Sequence, residues 1–181
     1  PGDINYVDLD KNGFIDTYDQ MAIGGTENPE IVYGFGVNLR WKELDFGAMF
    51  QGIGRTWRIL SSNIMPASNK GSMYNIFDNY QDRWTVDNQS QDVFYPRADY
   101  GPNANNSQKS TWWLRNMSFL RLKNLELGYS CPKKWLQGFV ISNARVFVRG
   151  TNLLTFSKFN LWDPELATGD GAKYPAMKSV S

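Results

Sequence analysis

The residue pattern predicts an all-β chain, an antiparallel meander of the kind that builds a transmembrane β-barrel. Two long runs alternate apolar and polar residues with a period of two, and each has one almost wholly apolar face. Connections at one end of these runs are short, whereas those at the other end are long, polar and rich in Asn, Ser, Gly and Asp. No apolar stretch approaches the ~20 residues of a membrane helix, while aromatic residues reach 15%, with 7 Trp, 9 Tyr and 11 Phe among 181 residues. A soluble β-sandwich also alternates; the length of the strands and the Trp residues at their ends favour the barrel.

The first element is a loop, Asp8 to Asp19, reading D-L-D-K-N-G-F-I-D-T-Y-D. Oxygen-bearing side chains occupy positions one, three, five, nine and twelve, namely Asp8, Asp10, Asn12, Asp16 and Asp19. Gly13 stands at position six, where a calcium loop turns sharply, and Phe14 at position seven offers its backbone carbonyl. Ca²⁺ is a hard cation that takes about six to eight oxygens, and this donor set suits it. Ile15 is expected to pin the loop to a core. Asp19 replaces the bidentate Glu of a sensor EF-hand, and Ile4–Val7 before the loop reads as extended, so the ion is expected to staple a loop and not to operate a helix pair. The alternative is a solvated acidic turn, since Asp, Asn and Gly form turns without metal.

A polar turn, Gly24 to Pro29, leads into the first long strand. Ile31, Tyr33, Phe35, Val37, Leu39 and Trp41 share one face; Asn38 and Arg40 lie on the other. Lys42-Glu43 makes a tight turn, and Leu44, Phe46, Ala48 and Phe50 continue the apolar face opposite Asp45 and Gln51, giving a hairpin. Residues 58–111 lose the period and read as one long loop. Within it a short helix is expected over Asn75–Trp84, carrying Ile76, Phe77, Tyr80 and Trp84. Alternation returns at Leu120 and Leu122, then changes parity at Leu125, Leu127 and Tyr129, which predicts a bulge near Lys123-Asn124. After Pro132 and a short connection with Trp135 and Phe139, a strand from Ala144 to about Phe156 puts Arg145, Phe147 and Arg149 on the polar side. Leu161–Pro175 is a polar loop, and Lys178–Ser181 reads as the start of a further strand that stops short.

Composition removes several function classes. Lys and Arg number 19 against 18 Asp and Glu, so nothing suggests a nucleic-acid partner. Histidine is absent, which excludes His-based triads and His-bound zinc, and Cys131 is alone, so no internal disulfide forms. Paired carboxylates such as Asp163 and Glu165 exist, but beside Pro164 in a loop they are thin support for a glycoside hydrolase. The chain is read as not an enzyme.

Ordered motifs carry a resemblance. Pro1-Gly2-Asp3-Ile4 precedes the acidic loop and Ile23-Gly24. Then follow Tyr33-Gly34-Phe35, Phe50-Gln51-Gly52, Arg83-Trp84-Thr85, Tyr95-Pro96-Arg97 and Trp113-Leu114-Arg115. The run Phe119-Leu120-Arg121-Leu122-Lys123-Asn124-Leu125-x-Leu127-Gly128-Tyr129 comes next, then Val146 to Leu154 and Trp162-Asp163-Pro164-Glu165. Over nearly the whole of residues 1–181 the chain resembles the C-terminal barrel region of SusC/RagA-type TonB-dependent transporters of Bacteroidota. The resemblance implies part of a 22-stranded barrel in the cell outer membrane, with the calcium-type loop 8–19 and a long loop of about 58–111 on the extracellular side. It implies a SusD-like surface lipoprotein as partner, TonB through a missing N-terminal region, outer-membrane lipid around the barrel, and an oligosaccharide or peptide as cargo. The plug is lacking, and family members continue past Ser181 through a closing strand. Tyr80, Trp84, Tyr95, Tyr100, Trp112 and Trp113 can stack on sugar rings or on the lipoprotein; packing the loop into an ordered cap is the other use for them, and ranks first. The alternative to the importer is a soluble calcium-stabilised carbohydrate-binding β-domain, which leaves the long apolar faces without a cover.

Overall fold

The computed structural model describes residues 1–60, 64, 77–99, 103–138 and 140–181. Strands β1 (Ile31–Trp41), β2 (Leu44–Gly54), β3 (Trp57–Ile59), β4 (Leu114–Asn116), β5 (Phe119–Ser130), β6 (Arg145–Ser157) and β7 (Ser179–Val180) follow in chain order. Helical structure among the described residues is confined to single 3-10 turns; β1 and the Lys42-Glu43 turn fall where predicted, and β2 runs three residues past Gln51 to Gly54. Lys42 in its two-residue turn takes φ +54°, a left-handed conformation of the kind such tight turns use.

Two compact units emerge. The sheet unit holds residues 26–57, 116–167 and 173–181; the loop unit holds 1–25, 58–115 and 168–172. In the sheet unit β1-β2-β5-β6-β7 form one five-stranded antiparallel sheet. Its register lines apolar residues into rows across four strands. Trp41, Leu44, Tyr129 and Val146 make one row, Leu39, Phe46, Leu127 and Val148 the next, then Val37, Ala48, Leu125 and Gly150, and then Phe35, Phe50, Leu122 and Leu154. Phe35 and Phe50 stack with ring centroids 5.0 Å apart. This face stays exposed along the hairpin: Val37 is 43% exposed, Leu39 60% and Trp41 68%.

The change of parity in β5 has the expected cause. Met49 pairs with Asn124 but Phe50 with Leu122, so Lys123 is the extra residue against β2. Leu122 pairs with Leu154 and Asn124 with Thr151, so β6 sets Asn152 and Leu153 against Lys123, one extra residue, and Asn152 takes φ +53°. The bulge keeps Leu120 and Leu122 on the same face as Leu125, Leu127 and Tyr129. Gly52 is required by close approach, because a Cβ there would collide with the Tyr33 ring and the Phe119 carbonyl, and Tyr33 Oη donates to that carbonyl (3.2 Å). β7 pairs Ser179 and Val180 with Thr151 and Gly150, the short strand expected at 178–181.

Three expectations change. Strands β3 and β4 are three residues each and form a separate two-stranded ribbon, which a period-based reading cannot register. The short helix over Asn75–Trp84 is not formed among the described residues. A single 3-10 turn occupies Asp78–Gln81, and Arg83 instead bridges to Tyr95, with Trp84 N–H donating to the Tyr95 carbonyl (3.0 Å). Tertiary pairing there outweighs a weak local pattern; Asn75, Ile76, Tyr100 and Phe139 lie outside the described residues. Ile15 is 53% exposed, so it does not pin the acidic loop to a core.

Candidate metal loop and aromatic cap

Both features predicted to act outside the barrel wall fall in the loop unit. In the acidic loop, backbone N–H groups fold the chain around the carboxylates. Asp8 accepts from Lys11 N–H (2.6 Å) and Gly13 N–H (2.8 Å), Asp10 from Asn12 N–H (3.1 Å), and Asn12 Oδ1 from Phe14 N–H (2.8 Å). Gly13 takes φ +86°, where a side chain would be strained. Asp19 accepts from Leu9 N–H (2.7 Å) and Asp16 N–H (2.8 Å), closing the loop's two ends on each other. Bonds from the backbone of Asp16, Leu9 and Asp10 hold its carboxyl below the usual carboxylate range.

This folding gathers one oxygen each from Asp8, Asp10 and Asp19 within 4.8 Å of one another. Carboxylate oxygens around one Ca²⁺, each about 2.3–2.6 Å from it, lie no more than roughly 5 Å apart. The donor set therefore fits a hard cation. Asp16 stands outside this trio; its side chain accepts from Tyr18 N–H (2.7 Å) as the N-cap of the turn Thr17–Asp19. Asn12 points its amide N–H at Asp10 (3.0 Å).

The aromatic residues of the long loop divide by burial. Tyr95 and Trp113 are enclosed, at 2% and 0% exposure, while Tyr80, Trp84 and Trp112 are half-buried. Tyr95 packs against Phe94 (4.6 Å between centroids), Tyr80 (5.7 Å) and Trp113 (6.3 Å). Burial pushes the Tyr95 hydroxyl up to about 12, against the pull of its bond to Asn79. Trp112 Nε1 donates to the Phe94 carbonyl and Trp113 Nε1 to the Asn106 carbonyl. Tyr95 and Trp113 present no open face to a ligand; they form the centre of a cap.

Sequence reasoning missed the group that ties this cap together. Asp3 accepts from Arg97 Nε (3.0 Å), Asn103 Nδ2 (3.2 Å) and Asn106 Nδ2 (2.8 Å). Asn106, itself buried, accepts from Ile4 N–H (2.9 Å), and Arg97 N–H donates to the Gly2 carbonyl (2.8 Å). Gly2 takes φ +87°, and a Cβ there would stand 2.5 Å from the Trp84 ring. The only signal for this hub is the Pro1-Gly2-Asp3 motif, and its partners lie about a hundred residues away.

On the polar face of the sheet unit, Arg145 binds Asp45 and Glu126 (2.6 Å), and Arg149 binds Glu126 (2.6 Å). Asp45, Arg145 and Arg149 thus share the side assigned to them from the alternation. Asp163 and Glu165, weighed as a hydrolase pair, are held by cations instead. Arg121, 1% exposed, binds Asp163 and Glu165 (3.3 Å), and Lys123 binds Glu165 (2.7 Å).

No protein-family model matches the chain. It is 32% identical over 166 residues to TonB-dependent receptor P26 of Formosa agariphila, which covers 91% of this chain and 16% of the receptor. To TonB-dependent receptor SusC of Bacteroides thetaiotaomicron it is 25% identical over 176 residues, covering 94% of this chain and 16% of SusC. A solved structure of the RagAB peptide transporter superimposes with a TM-score of 0.68 at 31% identity, covering 92% of this chain and 19% of that one. The chain therefore spans about one-sixth of the length of the curated relatives it matches.

Proposed function

Because the chain belongs to the SusC/RagA type of TonB-dependent receptors, we propose that it forms part of the barrel wall and outer surface of an importer that moves an oligosaccharide or peptide across the outer membrane. A SusD-like surface lipoprotein closes over the barrel mouth in this reading, and TonB supplies the energy through a region outside this chain. Peptides stand beside glycans as cargo because the RagAB structures are of a peptide importer.

The observation that carries the reading is the exposed apolar face of the sheet. β1 spans 11 residues; its steps of about 3.4 Å give roughly 34 Å, and a tilt of about 40° leaves roughly 26 Å across the membrane. That matches the ~25 Å apolar band of an outer-membrane barrel. A soluble carbohydrate-binding β-domain would leave this face wet, at a cost that scales with its apolar area. The ion-paired face opposite suits a water-filled interior.

In the same reading Asp8, Asp10 and Asp19, with Asn12, Asp16 and the Phe14 carbonyl, hold a Ca²⁺ on the extracellular side. When bound, the ion supplies charge neutralisation that lets three carboxylates stay close. The residues themselves fix Leu9 and Asp16 against Asp19, so the loop meets its partner with less entropy to lose. Calcium titration of the full-length receptor by calorimetry is expected to show one site that Asp10→Ala removes; equal binding in both proteins contradicts the assignment. For the import reading, the full-length receptor extracted in detergent is expected to bring a surface lipoprotein with it, and its deletion is expected to abolish uptake of one nutrient. Growth unchanged on every glycan and peptide source after deletion contradicts it.

A further inference from the structure

At the short-turn end of the sheet unit, the last apolar row meets a group of cations. Trp41, Leu44, Tyr129 and Val146 form that row. Lys42 follows Trp41 directly and lies 4.9 Å over its ring. Ser130 N–H donates to the Glu43 carbonyl (2.8 Å), which fixes the β1–β2 turn beside the start of the β5–β6 connection. That connection folds into the 3-10 turn Lys133–Trp135 and lays Trp135 against Tyr129, with ring centroids 6.3 Å apart. Lys133, Lys134 and Trp135 are all exposed.

None of Lys42, Lys133 and Lys134 makes an ion pair among the described residues, and Glu43 is the one acid in the two turns that carry them. On the same sheet Arg145 and Arg149 bind Asp45 and Glu126, and at the opposite end Arg55 binds Glu30 (2.9 Å), whereas Arg40, Lys158 and Lys178 also make no ion pair among the described residues. Lys42, Lys133 and Lys134 thus lie unmatched on two turns joined by the Ser130–Glu43 bond, where exposed aromatic rings end the apolar face. A ligand that answers both features has an anionic head and a hydrocarbon tail.

We propose that Lys42, Lys133 and Lys134, framed by Trp41, Tyr129 and Trp135, bind the headgroup of an anionic phospholipid in the leaflet at the short-turn side of the barrel. The proposal rests on the barrel reading above. The rings sit at headgroup depth, Lys42 lies over the Trp41 ring, and the ammonium groups of all three lysines reach the phosphate. Short turns face the periplasm in such barrels, so the lipid belongs to the periplasmic leaflet.

The test is lipid binding to delipidated full-length receptor in detergent, followed by native mass spectrometry with phosphatidylglycerol or phosphatidylcholine as probe. The parent is expected to prefer phosphatidylglycerol. The variant Lys42→Ala/Lys133→Ala/Lys134→Ala is expected to lose one bound phosphatidylglycerol, the affinity falling on the order of fivefold per lysine removed. Lys158→Ala, at the loop end of β6, is expected to behave as the parent, as is the triple replacement by Arg. An unchanged phosphatidylglycerol preference in the alanine triple overturns the proposal, as does an equal loss in Lys158→Ala. Single Lys134→Ala gives the same decision if the triple does not fold. A receptor that stays monodisperse without detergent overturns the barrel reading itself, which separates the two failures.

Discussion

Replacing Val37 by Arg puts a charge at the middle of the face assigned to lipid. Val37 lies six residues from Ile31 and four from Trp41 on β1, in the row with Ala48, Leu125 and Gly150. At about 3.4 Å per residue and a tilt of about 40°, its side chain lies within a few ångström of the centre of a ~25 Å apolar band. An Arg at the midplane of an outer-membrane barrel costs about 2–4 kcal/mol, falling to about 0–1 kcal/mol near the interfaces. Ile31→Arg supplies the comparison, since it lies on the same strand and face but at the end. The two variants are expected to differ by about 2–3 kcal/mol in guanidinium unfolding of the full-length receptor refolded into phospholipid vesicles. On a water-exposed sheet both substitutions would fall within about 0.5 kcal/mol of the parent. Two variants that cost the same small amount would refute lipid contact at Val37.

Two further expectations concern the hubs that sequence reading did not reach. Asp3→Ala leaves the buried Asn106 amide without its acceptor and Arg97 with Asp99 alone, a loss of about 1–3 kcal/mol, read as faster hydrogen exchange over residues 95–99 and 103–107. Burial pushes the Asp3 carboxyl up, but bonds from Arg97, Asn106 and Asn103 outweigh it and hold it below the usual carboxylate range. Its contribution is therefore complete above the unfolded value near ~3.9 and is lost as pH falls through the lower folded value; protease sensitivity of the cap is expected to rise only in that acid range, and a rise at neutral pH would contradict the assignment. Asp163→Ala leaves the buried Arg121 with Glu165 alone and is expected to cost about 3–5 kcal/mol in the same unfolding assay, with Arg121→Met in the same protein restoring much of it.

The sheet was legible because one apolar and one polar face impose a simple rule of alternation on each strand. Ile31 to Trp41 and Leu44 to Phe50 show the rule directly, and the parity change between Leu122 and Leu125 located a bulge before any pairing was known. The acidic loop was legible because its Asp, Asn and Gly residues stand at the spacing of a calcium loop, and oxygens of Asp8, Asp10 and Asp19 lie within 4.8 Å of one another. The cap was not. β3 and β4 are too short to show a period, and their pairing joins residues more than fifty apart. Tyr95 and Trp113 read first as packing of an ordered cap and second as ligand platforms, and their burial agrees with the packing. Asp3 gains its role from Arg97, Asn103 and Asn106, and no local pattern connects a carboxylate with partners so distant in the chain.

The central claim, that lipid covers one face of β1 and water the other, is tested most directly by spin labels placed singly at residues 36–41 of the full-length receptor in vesicles. Collision rates with oxygen and with a water-soluble nickel chelate are then compared. The predicted result is strict alternation, with oxygen favoured at Val37, Leu39 and Trp41 and the nickel chelate favoured at Gly36, Asn38 and Arg40. Labels at Val37 and Leu39 that meet the nickel chelate freely, or that are shielded from both reagents by packed protein, would contradict it.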